Sequence, residues 1–343
     1  MKALRKSRPE RGAELVEMPM PAVGPNDVLL RVKAAAICGT DIHIYGWNEW
    51  AAQRVKLPMT FGHEICGEVM EVGSQVSHLK PGDLVAAETH IPCGVCYQCH
   101  TGNQHACESM KILGVHVEGC FSEYTSIPSI CAWKLPDGTD VELGAIMEPM
   151  GVGVHGLLVD PLEVGSVGIV GCGPIGIMTA QVAAYQGAYP LFLFDINPER
   201  LEMAQRIVPQ AVTINPAKED ALARVKEWNG GRGVDLAVEL SGSVPGTRLA
   251  IDMIRMGGQI HLVGLLGDPV QINSCNDIVY KEATIKGTTG RMMWKTWWQM
   301  DRLLASKQFD PKQVITHRFA LADYVDAFEL ALSGKGGKIL LFP

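Results

Sequence analysis

The chain has 343 residues, 47% of them hydrophobic and 20% charged, which suits about two domains with ordinary buried cores and excludes a disordered or collagen-like chain. Thirty Lys and Arg against 37 Asp and Glu leave a formal charge of −7 with no basic stripe, so no nucleic-acid partner is expected. No stretch approaches about 18 apolar residues and Met1-Lys2-Ala3-Leu4-Arg5-Lys6 starts no signal-type apolar run, so the expectation is a cytoplasmic chain without a membrane span, whose ten cysteines need a chemical reason.

In chain order, the first third holds short strand-like runs, such as Val28-Leu29-Leu30-Arg31-Val32 and Leu84-Val85-Ala86-Ala87, separated by Gly, Pro, Asn and Asp. That texture predicts an irregular β domain. From about residue 151 it changes: a strand over 166–170, a helix over 174–186, a strand over 191–194 and a helix over 198–207 follow in order. Strands at 236–239 and 259–263 continue the alternation, which predicts βαβ units and a parallel sheet. An amphipathic segment from about Trp294, a helix over 322–332 and a strand over 338–342 close the chain.

Gly171-Cys172-Gly173-Pro174-Ile175-Gly176 fits the G-x-G-x-x-G pattern between a predicted strand and a predicted helix, and the next strand ends in Asp195, 19 residues after Gly176. In that setting the glycines permit a tight turn and close backbone approach, and a pyrophosphate sits on the helix N-terminal N–H groups. Pro174 suits the first helical turn. Asp195 can accept both ribose hydroxyls of NAD and repels the extra phosphate of NADP; Arg200, a helical turn on, is a further candidate ribose or adenine contact. Cys93-x2-Cys96-x2-Cys99-x7-Cys107 gathers four thiols within fifteen residues, the pattern of a closed tetrahedral structural zinc, with an iron–sulfur cluster or disulfides as competing readings. Cys66, Cys120, Cys131, Cys172 and Cys275 lie in mainly apolar or Gly-containing surroundings and read as buried small hydrophobes.

Cys38-Gly39-Thr40-Asp41, Gly62-His63-Glu64, the four-cysteine lobe and the glycine loop, in this order, resemble the zinc-containing medium-chain alcohol dehydrogenases across essentially the whole chain. The resemblance implies an α/β chain: a GroES-like irregular β catalytic domain, 1–150 with 298–343, and a doubly wound Rossmann domain, 151–297, which binds NAD. It implies two zinc ions per subunit. One is catalytic, on Cys38 and His63 with Glu64 or Glu148 completing the set, and the other is structural. It implies a proton relay through Thr40 and His43, with Glu148 at the reacting centre, and extends the cofactor contacts to Val263, Gly264, Leu265, Thr288 and Thr289. It also implies a homotetramer, for which 257–266, taken as the sheet edge, is the candidate contact.

Within that family, Ile37 to Tyr45, Trp47-Asn48-Glu49-Trp50-Ala51, Gly290-Arg291 and Ile315-Thr316-His317-Arg318-Phe319 look like the threonine dehydrogenase branch. Glu148-Pro149-Met150-Gly151-Val152-Gly153-Val154-His155 is similar instead to the sorbitol, or polyol, branch, with Val152 where the first branch carries Asn. The expected function is oxidation of a secondary alcohol of a small polar substrate: a hydroxy amino acid first, a polyol second. A zinc- and NAD-binding sensor without activity is the reading of another class. His90 is expected at the polar end of the substrate or in a structural role, and Arg291 against a substrate carboxylate or the cofactor phosphates.

Overall fold

The computed structural model describes residues 1–161 and 165–343. They divide into two compact units, Met1–Pro149 with Ile315–Pro343, and Met150–Val314. The expected break between 297 and 298 falls inside a helix, Lys295–Ala305, that belongs whole to the second unit, so the returning tail begins at Ile315.

The first unit is built on a sheet of β1 (Asp27–Ala36), β2 (Glu64–Val72), β3 (Leu84–Ala87), β4 (Tyr124–Pro128) and β5 (Ala132–Lys134), joined by the C-terminal strands β12 (Ile315–Ala320) and β13 (Lys338–Phe342). The order is β5-β3-β2-β1-β13-β12, with β4 also pairing β1. The tail is part of the core. Phe328, on the helix Tyr324–Leu332, is fully buried, stacks on Tyr45 at 4.5 Å between ring centroids and meets Phe61 and Phe121 at 5.7 and 6.0 Å. Two short helices follow β1: α1 (Gly39–Gly46) and α2 (Glu49–Arg54). A longer one, α3 (Val141–Leu158), crosses the division between the units.

The second unit is a six-stranded parallel sheet, β6 (Val167–Val170), β7 (Leu191–Phe194), β8 (Val212–Ile214), β9 (Val234–Glu239), β10 (Ile254–Leu262) and β11 (Thr284–Gly287), in the order β8-β7-β6-β9-β10-β11. This is the doubly wound arrangement whose order reverses beside the first strand. Both faces of β6 and β7 are buried, so those strands read as unbroken apolar runs without alternation. α4 (Pro174–Tyr185) is buried at every position from Gly176 to Ala183, with Pro174 in its first turn, as a helix packed on all sides requires. α5 (Pro198–Ile207) is capped by Asn197, whose side chain accepts the Glu199 N–H at 2.9 Å. The stretch 257–266 is not the sheet edge, because β11 pairs with β10 beyond it. Among the described residues, no helix is long and apolar enough to cross a membrane.

Candidate functional site

In the first unit three strand ends converge. The β1–β2 register sets Ala36 opposite Glu64, and the β1–β13 register sets Ala36 opposite Leu340, so Cys38 leaves β1 with His63-Glu64 on one side and Lys338 on the other. Gly62 makes the turn before His63: its φ is +91°, and a Cβ there would lie 2.7 Å from the Phe121 ring, so both conformation and space require glycine. The ligand atoms of Cys38, His63 and Glu64 all lie within 4.8 Å of one another. One thiolate, one imidazole and one carboxylate in that space match the open zinc site of a hydrolytic or dehydrogenase centre.

Local chemistry aims each ligand. Cys38 is the N-cap of α1; its sulfur accepts from the Asp41 N–H, and Asp41 Oδ2 accepts from the Cys38 N–H at 2.9 Å, a capping box made with a thiol. The other Asp41 oxygen faces His63 Nδ1 at 3.5 Å, which leaves Nε2 to the ligand cluster. Burial opposes charge on His63, yet Asp41 and Cys38 outweigh it and hold the imidazole well above its ordinary value, a proton that a bound cation displaces. Glu64 is fully buried: Oε1 accepts from Lys338 Nζ at 2.6 Å, while Oε2 has no hydrogen-bond partner among the described residues. Burial pushes the Glu64 carboxyl up against the pull of Lys338, and Glu148 adds to the rise. Lys338, itself buried and bonded to Ile37 O at 3.0 Å, is held above the usual lysine value because Glu64 and Cys38 outweigh its burial. The donor set with its orphaned carboxylate oxygen fits a zinc ion. Glu148 lies outside the three-ligand cluster, near enough to raise Glu64.

The four-cysteine lobe folds as the spacing requires. Cys96 Sγ lies 3.5 Å from Cys99 Sγ and 3.9 Å from Cys107 Sγ, and the Cys93 N–H donates to Cys107 Sγ. Four sulfurs around one zinc, each about 2.3 Å from it, stand roughly 3.8 Å apart, whereas disulfide sulfurs stand at about 2.05 Å. All ten cysteines are free thiols. Backbone N–H groups of Cys99 and Glu108 pull the Cys96 thiol down to about 6, the ionised form a metal takes.

The second unit presents the glycine loop at the carboxyl end of β6. Gly171 has φ +102°, and a Cβ on Gly176 would collide with the Gly171 carbonyl oxygen. Gly173 is the N-cap of α4, and no side-chain cap takes the first-turn N–H groups, which suits them to a pyrophosphate. Asp195 is held rigidly: Oδ2 accepts the Cys172 N–H and Oδ1 the Asn197 N–H, each at 2.8 Å, with the Arg200 guanidinium 3.9 Å from Oδ2. Val263 and Gly264 donate their N–H groups to Glu239 O at the end of β9, and Thr288 donates to Leu262 O. Thr288 Oγ1 is buried without a partner among the described residues, and Leu265 is 83% exposed. Glu239 escaped the sequence reading; its carboxylate accepts from Ser241 and Gly242 N–H at 2.8 and 3.1 Å and so shapes the neighbouring turn.

The remaining candidates separate. Thr40 is half-buried and His43 exposed, one helical turn apart on α1, so they share a face that runs from the ligand cluster outward. His90 Nδ1 donates to the carboxylate of buried Glu88 at 3.0 Å. Arg291 is buried, its aliphatic stem so close to α3 that a Cβ on Gly151 would lie 2.6 Å from Arg291 Cδ. Cys66, Cys120, Cys131 and Cys172 are buried as expected, but Cys275 is exposed, because the segment after β10 carries it onto the surface.

Comparison with known proteins agrees with this geometry. Residues 24–137 match the alcohol dehydrogenase GroES-like domain, and residues 174–306 match the zinc-binding dehydrogenase family. A protein of Bacillus licheniformis named L-threonine 3-dehydrogenase is 44% identical over 343 residues, covering 100% of this chain and 99% of its own. Among solved structures, the alcohol dehydrogenase TADH from Thermus sp. ATN1 superposes with a TM-score of 0.92 at 29% identity, covering 100% of this chain and 99% of the other. The 2R,3R-butanediol dehydrogenase of Bacillus subtilis superposes with a TM-score of 0.89 at 30% identity, with the same coverage. The chain belongs to the zinc-type medium-chain alcohol dehydrogenase family. It is therefore an oxidoreductase of a class that works with zinc and a nicotinamide cofactor.

Proposed function

We propose that this chain is an NAD-dependent dehydrogenase that oxidises the 3-hydroxyl of L-threonine to 2-amino-3-oxobutanoate. The observation that carries the reading is the full-length match to an enzyme named for that reaction. When bound, zinc supplies Lewis acidity to the substrate hydroxyl and NAD supplies the hydride acceptor.

The chain's own residues do the rest. Cys38, His63 and Glu64 hold the catalytic zinc, with Asp41 and Lys338 orienting them; Cys93, Cys96, Cys99 and Cys107 hold the structural one. Thr40 takes the hydroxyl proton at Oγ1, and His43 moves it on towards solvent, the residues becoming more exposed in that order. Glu148 supplies a second buried carboxylate to the reacting centre, and His90, held beside Glu88, is assigned to the polar end of the substrate. Gly171, Gly173, Pro174, Ile175 and Gly176 take the pyrophosphate. Asp195 and Arg200 take the adenosine ribose, which favours NAD over NADP because a 2′-phosphate would face the fixed carboxylate. Val263, Gly264, Leu265, Thr288 and Thr289 take the nicotinamide half. We assign catalysis to the first unit and nucleotide binding to the second, and infer a cytoplasmic homotetramer on family grounds, to be measured by light scattering.

A polyol is the second substrate class, favoured by Val152, an apolar residue on α3 that offers no hydrogen bond to a charged substrate. The two differ in charge: an amino acid needs paired partners for its carboxylate and ammonium, a polyol only neutral ones. Initial rates of NADH and NADPH formation with threonine and with C4 to C6 polyols separate them. Turnover of threonine with NAD supports the proposal, efficient turnover of one polyol with none of threonine overturns it, and NAD binding with no turnover of any alcohol leaves the sensor reading.

A further inference from the structure

His43 is exposed, yet its ring is not free to choose its state. Asn48, the N-cap of α2, points its carboxamide at the ring with Nδ2 2.8 Å from His43 Nδ1. The other end of that carboxamide is committed, because Asn48 Oδ1 accepts the Ala51 N–H at 3.1 Å. A backbone N–H can only donate, so the atom at Ala51 is the oxygen and the atom at His43 is the NH2. A nitrogen that receives a hydrogen bond from NH2 carries no proton of its own. Trp50, with its centroid 6.0 Å from the His43 ring and tilted by 44°, stands beside the ring, and the Arg54 guanidinium lies over Trp50 at 5.1 Å. Helix cap, carboxamide and imidazole form one chain of dependent hydrogen bonds.

We propose that Asn48 is a positioning residue for the proton path: it holds His43 as the neutral tautomer protonated on Nε2 and ties each change of protonation to a movement of its own carboxamide. The inference rests on the reading of His43 as a proton carrier. A proton that reaches Nδ1 makes both ring nitrogens donors, and Asn48 Nδ2 then has nothing to donate to. Either that bond opens, or the carboxamide turns over and presents Oδ1 to the ring, which removes the acceptor from the Ala51 N–H. The proton leaves again from Nδ1 to solvent, the carboxamide returns, and the ring ends with its single proton on Nε2, as it began. Oxidation of an alcohol releases one proton per turnover, so this cycle runs once each time.

The test uses the full-length, zinc-loaded chain labelled with ¹⁵N-histidine. Long-range ¹H–¹⁵N correlation separates protonated from unprotonated ring nitrogens, and the missing signal in His43→Gln assigns the ring. The wild type is expected to show Nε2 protonated and Nδ1 bare. In Asn48→Asp the carboxylate still caps α2 through one oxygen, since Asp and Asn are equivalent N-caps. Its other oxygen now accepts, so the proton is expected on Nδ1. Because the cap survives, Asn48→Asp is expected to lower kcat by about 10-fold, less than the roughly 100- to 10,000-fold that a proton-transfer group itself supplies, with KM for NAD and alcohol within about 2-fold. Asn48→Ala, which loses cap and donor together, is expected to show both tautomers. A wild-type ring protonated on Nδ1, or an Asn48→Asp ring with the wild-type pattern, overturns the proposal. Unchanged turnover in His43→Gln removes the carrier reading itself. Slow turnover in His43→Gln with wild-type kcat in Asn48→Asp removes only the part given to Asn48.

Discussion

Replacement of Asp41 by Asn keeps the shape of the side chain and changes one atom from acceptor to donor. The native carboxylate uses Oδ2 for the Cys38 N–H, at 2.9 Å, and turns Oδ1 to His63 Nδ1, at 3.5 Å. Asparagine can satisfy only one of these. If its oxygen stays on the Cys38 N–H, its NH2 faces His63 Nδ1, and the ring must carry its proton on Nε2, the nitrogen turned to the zinc ligands. If the carboxamide turns over, the Cys38 N–H loses its acceptor at a cost of about 1 to 3 kcal/mol, in a segment where Asp41 is fully buried. Partners one shell behind a zinc-bound histidine are worth about 10- to 100-fold in metal affinity, or about 1.4 to 2.7 kcal/mol, a range that the cost of the second escape overlaps. The four-cysteine lobe serves as an internal control, since its donors all lie between Cys93 and Cys107. Competition with a chelator of known affinity, read as zinc per chain by mass spectrometry, should show one zinc lost at about 10- to 100-fold lower chelator while the second stays. Equal retention of both ions in Asp41→Asn and wild type would refute the argument that Asp41 sets the His63 tautomer.

Three further outcomes follow from the same contacts. Lys338→Met leaves Glu64 buried without its counter-charge and should destabilise the first unit by about 3 to 5 kcal/mol in thermal unfolding, with part of the loss recovered in Lys338→Met/Glu64→Gln; equal stability of the single and double variants would contradict the pair. Iodoacetamide at pH 8 should label exposed Cys275 and spare Cys66, whose thiol burial pushes up to about 12, together with buried Cys120 and Cys172; chelation should add the accessible zinc ligands Cys38, Cys93 and Cys96 to the labelled set, read by peptide mass mapping. Asp277 is held down at about 2, first by its hydrogen bonds from Arg248, so its contribution is complete above the ordinary aspartate value and is lost as pH falls from there towards 2; Arg248→Met should flatten that part of an acid-unfolding curve followed by circular dichroism.

Local signals made much of the second unit legible. The alternation of strands and helices, the glycines of 171–176, Pro174 and the carboxylate ending β7 all act within a few residues of themselves, and each element forms where its own residues place it. The structural lobe was legible for the same reason: four ligands within fifteen residues fold around one centre whatever surrounds them. The edge assigned to 257–266 failed because a strand's place in a sheet depends on what pairs beyond it, and β11, only four residues long, gives a weak signal of its own. Cys275 failed similarly, since an apolar neighbourhood in sequence does not say on which side of a segment the thiol emerges.

The residues that orient the catalytic centre show how far sequence can reach and where it stops. Asp41 was available to it: a ligand three residues ahead of a carboxylate at the start of a helix is a capping pattern, even with cysteine in place of serine, and that pattern fixes both the thiol and the next shell. Asn48 was equally local, five residues from the ring it touches. Lys338 lies 274 residues from Glu64, and nothing near either one announces the other. They meet because β2 and β13 pair with the same strand, β1, from opposite sides, so the buried charge on one becomes tolerable only when the tail of the chain returns. The ordering of the metal ligands and the docking of the C-terminal strand are therefore one event. Unless β13 is in place, Glu64 lacks the charge that balances it, and the three-ligand cluster lacks a settled third member.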